Sequence, residues 1–207
     1  MVSVRCGGAP GAAQGFAAYL DLASGLPTQG YIHEIVPTAR VLYTDYDPVT
    51  VAYGQQIIGD TPNVRYIQAN LTDTATILQA AETHFGDQRR IAICFVGSTY
   101  FFDKPTLRSI MDRLFAWCAP GAQMALSFLA GDVQTFAHSQ FAANYARMNA
   151  AVHPLETGEI SEVLGAWRIV EPGLLPLSAW NEVDNWRDEP GIEDESLDLY
   201  GVLVTKE

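Results

Sequence analysis

Short apolar runs bounded by turn residues alternate with stretches of helical periodicity through the first two-thirds of the chain. The runs predict strands at 18–23, 40–45, 64–69, 91–96 and 123–129. Between them, Ile32, Ile35 and Val36 share a face of a helix that starts at Pro27 or Thr28 and is closed by Pro37. Asp47-Pro48 supplies a cap residue and a first-turn proline for the next helix, which carries Val51, Ile57 and Ile58 and stops at Gly59. A third helix, about 74–84, is capped by Thr72 or Asp73 and buries Ile77, Leu78 and Ala81. Pro105 opens a fourth, with Leu107, Ile110, Met111, Leu114 and Phe115 on one face. The run Ile91–Val96 is apolar throughout, as a central parallel strand covered on both faces requires. Strict β-α alternation predicts an α/β fold, a doubly wound sheet with helices in layers on either side.

After residue 129 the pattern changes. A helix is expected over 133–151 with Phe136, Phe141 and Tyr145, a shorter one over 159–164, and strands at 167–170 and 197–205. Pro172-Gly173 leads into a loop over 174–196, whose acids from Glu182 onward face a single base, Arg187. A solvated acidic loop is the simpler reading there than a metal site. Residues 1–17 read as a loose, small-residue arm with a helical turn near Ala12–Phe16. With 207 residues, one domain spanning 1–207 is the expectation.

Composition narrows the partners. Hydrophobic residues make up 48% and charged residues 17%, a globular balance. A net charge of −12 and dispersed arginines disfavour nucleic acid and anionic lipid. No apolar run approaches the roughly 18 residues a membrane-spanning helix needs. The alanine-rich start runs straight into the first strand, so removal of a leader there would damage the fold, and export is not expected. Cys6, Cys94 and Cys118 have no metal-ligand spacing and suit reduced thiols in the cytoplasm. No spacing among the histidines suggests a metal site either.

The candidate chemistry sits after the first two strands. Ala23-Ser-Gly-Leu-Pro27 makes a tight turn in which Gly25 allows close backbone approach, and the helix after it presents unpaired N–H groups. Asp45 ends the second strand 20 residues beyond Gly25, where a βαβ unit places an acid to bind ribose hydroxyls. The turn has one glycine instead of the three in G-x-G-x-x-G, so a pyrophosphate finds little room. A ribose-bearing ligand without phosphates fits better, and S-adenosylmethionine is the common one. The same pattern also suits an ordinary βαβ turn.

Leu20-Asp-Leu-Ala-Ser-Gly-Leu-Pro-Thr28 resembles the Leu-Asp-Ile-Gly-Thr-Gly-Leu-Pro-Thr segment of a bacterial S-adenosylmethionine-dependent methyltransferase family, first catalogued as a domain of unknown function. His33-Glu34, Tyr43-Thr-Asp-Tyr-Asp-Pro48, Ala119-Pro-Gly121, Val170-Glu-Pro-Gly-Leu-Leu-Pro176 and Trp180 correspond as well. The resemblance runs from about residue 18 to the C-terminus. It implies the class I methyltransferase fold, a Rossmann-like sheet of about seven strands whose last strand is antiparallel and inserted beside the fifth. It also implies a cofactor site. Ser24, Gly25 and Leu26 would form the turn under the methionine portion, and Asp21 would brace that turn or meet the amino group. Asp45 would hold the ribose, Tyr46 would flank the adenine, and Asn70 and Leu71 would meet the adenine edge and face. Val96 and Gly97 would lie beneath the sulfonium. Three departures stand out: Ala23 replaces a glycine, Asn70 replaces an aspartate, and about seventeen residues stand before the first strand where the family normally carries some tens of helical residues that cover the cofactor.

For chemistry beyond the cofactor, Tyr100 and His33 are the candidate catalytic side chains. The run Thr99-Tyr-Phe-Phe102 suits either an apolar substrate pocket or core packing. Absence of the Asn/Asp-Pro-Pro-Tyr signature, with the acidic charge, points to a small-molecule acceptor. An uncovered apolar pocket predicts a homodimer. The rivals are a non-catalytic relative acting as a binding or oligomerisation module and, less favoured, a nicotinamide-dependent oxidoreductase.

Overall fold

Five parallel strands form where the apolar runs predict them: β1 (Ala18–Asp21), β2 (Arg40–Asp45), β3 (Val64–Gln68), β4 (Ala92–Phe95) and β5 (Gln123–Gly131). The computed structural model describes residues 15–26, 31–136, 140–147, 151–179 and 197–207. The expected turn near Ala12 therefore lies outside the described residues, as do most of the acidic loop and Trp180.

Strand order is β3-β2-β1-β4-β5-β8-β6, with β8 (Leu197–Thr205) antiparallel to β5 along nine residue pairs and antiparallel to β6 (Arg168–Ile169) on its other side. The last strand is thus inserted between the fifth and the penultimate, as the family resemblance implies. One strand was not anticipated. Leu175–Pro176, inside the stretch read as a loop, forms β7 and pairs with β8 at Gly201 and Tyr200. Two residues give no periodicity to read, so only the partner strand reveals them.

Helices fall in the predicted gaps. α2 (Pro48–Ile58) starts on Asp47, whose carboxylate accepts from Val49 N and Thr50 N at 3.1 Å each, and ends at Gly59 with φ 58°. α3 (Thr74–Phe85) is capped by Asp73 and α4 (Lys104–Trp117) by Asp103. α1 is a single turn, Ile32–Ile35, whose N-cap Tyr31 is extended at ψ 154°, so this helix begins later than the expected Pro27 or Thr28; residues 27–30 lie outside the described residues. The long helix expected over 133–151 is represented by α5 (Val133–Phe136) and α6 (Gln140–Arg147), and 151–154 is not helical. α7 (Ile160–Leu164) completes the set.

Strand alternation sends side chains into two cores. Leu20, Leu42, Ile93 and Phe95 face one side and pack with Ile77, Phe85, Leu107, Met111 and Val163 from α3, α4 and α7. Tyr19, Val41, Tyr43, Tyr66 and Cys94 face the other, where α1 and α2 supply Ile32, Val51 and Ile58. Lys206, just past β8, donates to the Phe115 and Cys118 carbonyls at 2.7 Å each, which satisfies the C-terminal end of α4. Cys118 is a free, buried thiol as expected, whereas Cys94 is disulfide-bonded, against the expectation of reduced cysteines.

Gly54 of α2 is closely packed on the second face. A Cβ there would stand 2.2 Å from Cε1 of the buried Tyr66 ring. Gly54→Ala is expected to lower the unfolding free energy by about 1–3 kcal/mol despite alanine's better helix propensity. Chemical denaturation checks this, and an unchanged midpoint would contradict the packing described.

Candidate functional site

The order of the parallel strands reverses direction between β1 and β4, so the loops leaving these two strands diverge and open a crevice at their carboxyl ends. Every cofactor residue inferred from the sequence lies at this edge. Asp21 and Asp45 are the last residues of β1 and β2, Ser24–Leu26 and Tyr46 follow them, Asn70 and Leu71 follow β3, and Val96 and Gly97 follow β4.

The β1 turn is fixed by neighbouring strands as well as by its own sequence. Leu22 N donates to the Cys94 carbonyl at 2.9 Å and Ser24 N to the Thr44 carbonyl at 2.8 Å. Ser24 Oγ donates to the Asp21 carbonyl at 2.9 Å, and Thr44 Oγ1 reaches the same carbonyl at 3.2 Å. Within this frame Ala23 takes φ 52° and Gly25 φ 66°, so the chain passes twice through the left-handed region. Glycine enters that region freely and alanine at a cost of roughly 1–2 kcal/mol. The replacement of glycine by Ala23 therefore shows itself as backbone strain.

Asp45 is buried, and both its oxygens are held by backbone. Gly25 N donates to Oδ2 and Asp47 N to Oδ1, each at 3.0 Å. A carboxylate has about four acceptor sites, so about two remain for a pair of ligand hydroxyls. Asp21 is the opposite case. Its carboxyl meets no donor among the described residues, and burial, followed by the nearby Asp45 charge, pushes it up to about 7. An unpaired, partly buried acid of this kind suits a cationic ligand group.

Tyr46 is 72% exposed beside α2, free to lie against a planar ring, whereas Leu71 is buried in the core. Asn70 is engaged within its own turn. Its amide oxygen already accepts from Thr72 N at 3.0 Å and Thr72 Oγ1 at 2.9 Å, closing an Asx turn ahead of α3. What Asn70 can offer a ligand is its amide N–H pair. Gly97 is exposed, with φ 77°, and its N–H donates to Ser127 Oγ at 2.8 Å, while Thr99 Oγ1 donates to the Ser127 carbonyl. Ser127 of β5 thereby clamps both sides of Ser98.

The two catalytic candidates occupy different surroundings. Tyr100 lies in a 3-10 turn against Phe101, its phenol pushed up to about 12 by burial, so it is a hydrogen-bond donor and no base. His33 turns its Nδ1 to the Tyr43 hydroxyl at 2.9 Å, and burial lowers its proton affinity. Sequence reading missed Thr44, Tyr66 and Ser127. Tyr66 Oη donates to the Gly25 carbonyl at 2.7 Å across 41 positions, and no local pattern encodes such a contact.

A parallel sheet with an inserted antiparallel final strand, an acid ending β2 and a turn below it define a class I S-adenosylmethionine-dependent methyltransferase fold. The chain belongs to the S-adenosyl methyltransferase family, whose sequence profile matches residues 8–207. A DUF574 family protein from Streptomyces avermitilis is 28% identical with a TM-score of 0.73, over 92% of this chain and 76% of that one. A candidate methyltransferase from Thermobifida fusca is 26% identical with a TM-score of 0.74, over 93% of this chain and 74% of the other. Geranyl diphosphate C-methyltransferase from Streptomyces coelicolor shares the fold at 14% identity, with a TM-score of 0.64 over 92% of this chain and 74% of that one. No curated protein sequence matches. The family makes S-adenosylmethionine the cofactor, and the donor set fits it: two open acceptor sites on Asp45 for ribose hydroxyls and an unpaired acid, Asp21, for an ammonium.

Two outcomes follow. Ala23→Gly removes the left-handed strain and is expected to raise stability by up to about 1 kcal/mol, since unfolded-chain entropy returns part of the gain. A lower melting temperature would contradict the strained turn. Because the folded Asp21 binds its proton more tightly than the unfolded chain does, its contribution to stability is present below about pH 4 and lost as pH rises through about 7. Asp21→Asn should therefore stabilise the protein at pH 8 and leave it unchanged at pH 4, as thermal unfolding at the two pH values will show.

Proposed function

We propose that the chain is one methyltransferase domain that transfers a methyl group from S-adenosylmethionine to a small-molecule acceptor. The observation that carries this reading is the Asp45 carboxylate, fixed by Gly25 N and Asp47 N with about two acceptor sites open. In it, Asp45 takes the ribose hydroxyls, Asp21 the methionine ammonium and Tyr46 the adenine face. Ser24 and Leu26 shape the turn, the Asn70 amide and Leu71 border the adenine, and Val96 and Gly97 line the sulfonium side.

The bound cofactor supplies an activated methyl group. The chain's task is alignment, which alone can be worth about 7–11 kcal/mol. Since Tyr100 stays protonated, it orients an acceptor oxygen or nitrogen without removing its proton, and His33 is occupied by Tyr43. This favours acceptors that react without a strong base, such as amines, thiolates and carboxylates. The charge of −12 supports a small molecule over nucleic acid. Among the described residues no helix is long and apolar enough to cross a membrane. A cytoplasmic bacterial enzyme is the setting this reading assigns, with the Cys94 disulfide the observation that runs against it.

The dimer belongs to the same reading. Val49, Tyr53 and Ile57 are 59%, 55% and 59% exposed and fall at helical spacing on α2. That helix has no charged residue, so two copies of an acidic chain approach there with least repulsion. Sedimentation should give a dimer that Tyr53→Glu converts to monomer, and a monomeric wild type at micromolar concentration would refute it.

Calorimetric titration with S-adenosylhomocysteine tests the site itself. Micromolar binding is expected, lost in Asp45→Ala and strengthening from pH 5.5 to pH 8 as Asp21 ionises, with the pH dependence absent in Asp21→Asn. Well-folded wild type that binds nothing would favour the non-catalytic relative.

A further inference from the structure

Two buried tyrosines outside the cofactor set reach the connection between β1 and α1. Tyr66, on β3, donates its hydroxyl to the Gly25 carbonyl at 2.7 Å. Tyr43, on β2, pairs with His33 Nδ1 at 2.9 Å and accepts from His33 N at 3.3 Å. Their rings pack with centroids 5.8 Å apart, and the Tyr66 ring is seated against Gly54, where any side chain would collide with it. The two hydroxyls thus hold Gly25 in the turn after β1 and His33 in α1.

Gly25 is the residue of this turn with the least conformational restraint of its own, and it holds φ 66° with nothing among the described residues within 4 Å of its missing Cβ. Among the described residues one hydrogen bond holds it on each side of its α carbon: the carbonyl to Tyr66 and the N–H to Asp45 Oδ2 at 3.0 Å. We propose that Tyr66 is a positioning residue for the ribose end of the cofactor site: by holding the Gly25 carbonyl it keeps the Gly25 N–H on Asp45 and sets the carboxylate's orientation toward the ribose hydroxyls. The proposal rests on the S-adenosylmethionine reading above. Burial raises the Tyr66 phenol well beyond its ordinary range, so it remains a donor at every working pH.

The test compares Tyr66→Phe with Tyr43→Phe. Each removes one hydroxyl from the same aromatic cluster and leaves the ring in place, so the two carry a similar structural penalty. Two readouts are taken: amide hydrogen exchange at Gly25, and affinity for S-adenosylhomocysteine against its 2′-deoxy analogue. Tyr66→Phe is expected to speed Gly25 exchange and to shrink the preference for the 2′-hydroxyl ligand, each by up to about tenfold. Tyr43→Phe leaves both at the wild-type value. Unchanged Gly25 exchange in Tyr66→Phe overturns the proposal. So does an equal loss of affinity for both ligands in both variants, which is the mark of a purely structural role. Wild type that binds neither ligand removes the proposed function instead, and the exchange comparison still decides whether Tyr66 holds the turn.

Discussion

The Asp45 carboxylate, bound at one oxygen by the Gly25 amide and at the other by the Asp47 amide, is the constraint on which the site depends. It joins the turn after β1 to the end of β2, and through the Ala69 N–H on its own carbonyl at 2.8 Å it also reaches β3. A buried carboxylate without such partners would be expensive. Satisfied by backbone donors, it becomes a fixed negative centre with acceptor capacity to spare. The sheet below supplies the rigidity, since β1, β2 and β4 are covered on both faces by apolar side chains.

Asp21 and Asp45 show how one edge holds two acids in different roles. Asp45 is fixed by two backbone dipoles and keeps acceptor sites suited to neutral hydroxyls. Asp21 meets no donor among the described residues, is disfavoured as an anion by burial, and gains most from a cation. The same edge stores strain at Ala23, whose φ of 52° the surrounding β1–β2 and β1–β4 bonds enforce. Strain and unpaired charge gather where a ligand would relieve them, while the cores on either face are well packed.

Much of the fold was legible because its signals are local. Proline and aspartate opened α2, glycine closed it, and the apolar runs located the five parallel strands. The insertion of β8 between β5 and β6 came from resemblance, since nothing in the periodicity of 197–205 states its partner. β7 was not legible, being two residues long. In the site, Gly25 and Asp45 carried their own signature, a turn and an acid at the right spacing. Tyr66 and Ser127 did not, because a hydroxyl that holds a backbone group 30 or 41 residues away leaves no mark on the chain between. The Asn70 amide oxygen was not legible for a related reason: whether it is taken depends on its neighbours, and here Thr72 occupies it.

The most direct test of this account is a crystal structure of the chain with S-adenosylhomocysteine. The account predicts the ribose hydroxyls on Asp45 with the Gly25 N–H still bound to its Oδ2, and the ligand's amino group at Asp21. A ligand bound with its ribose away from Asp45, or a turn that gives up the Gly25 contact to admit it, would contradict the central claim.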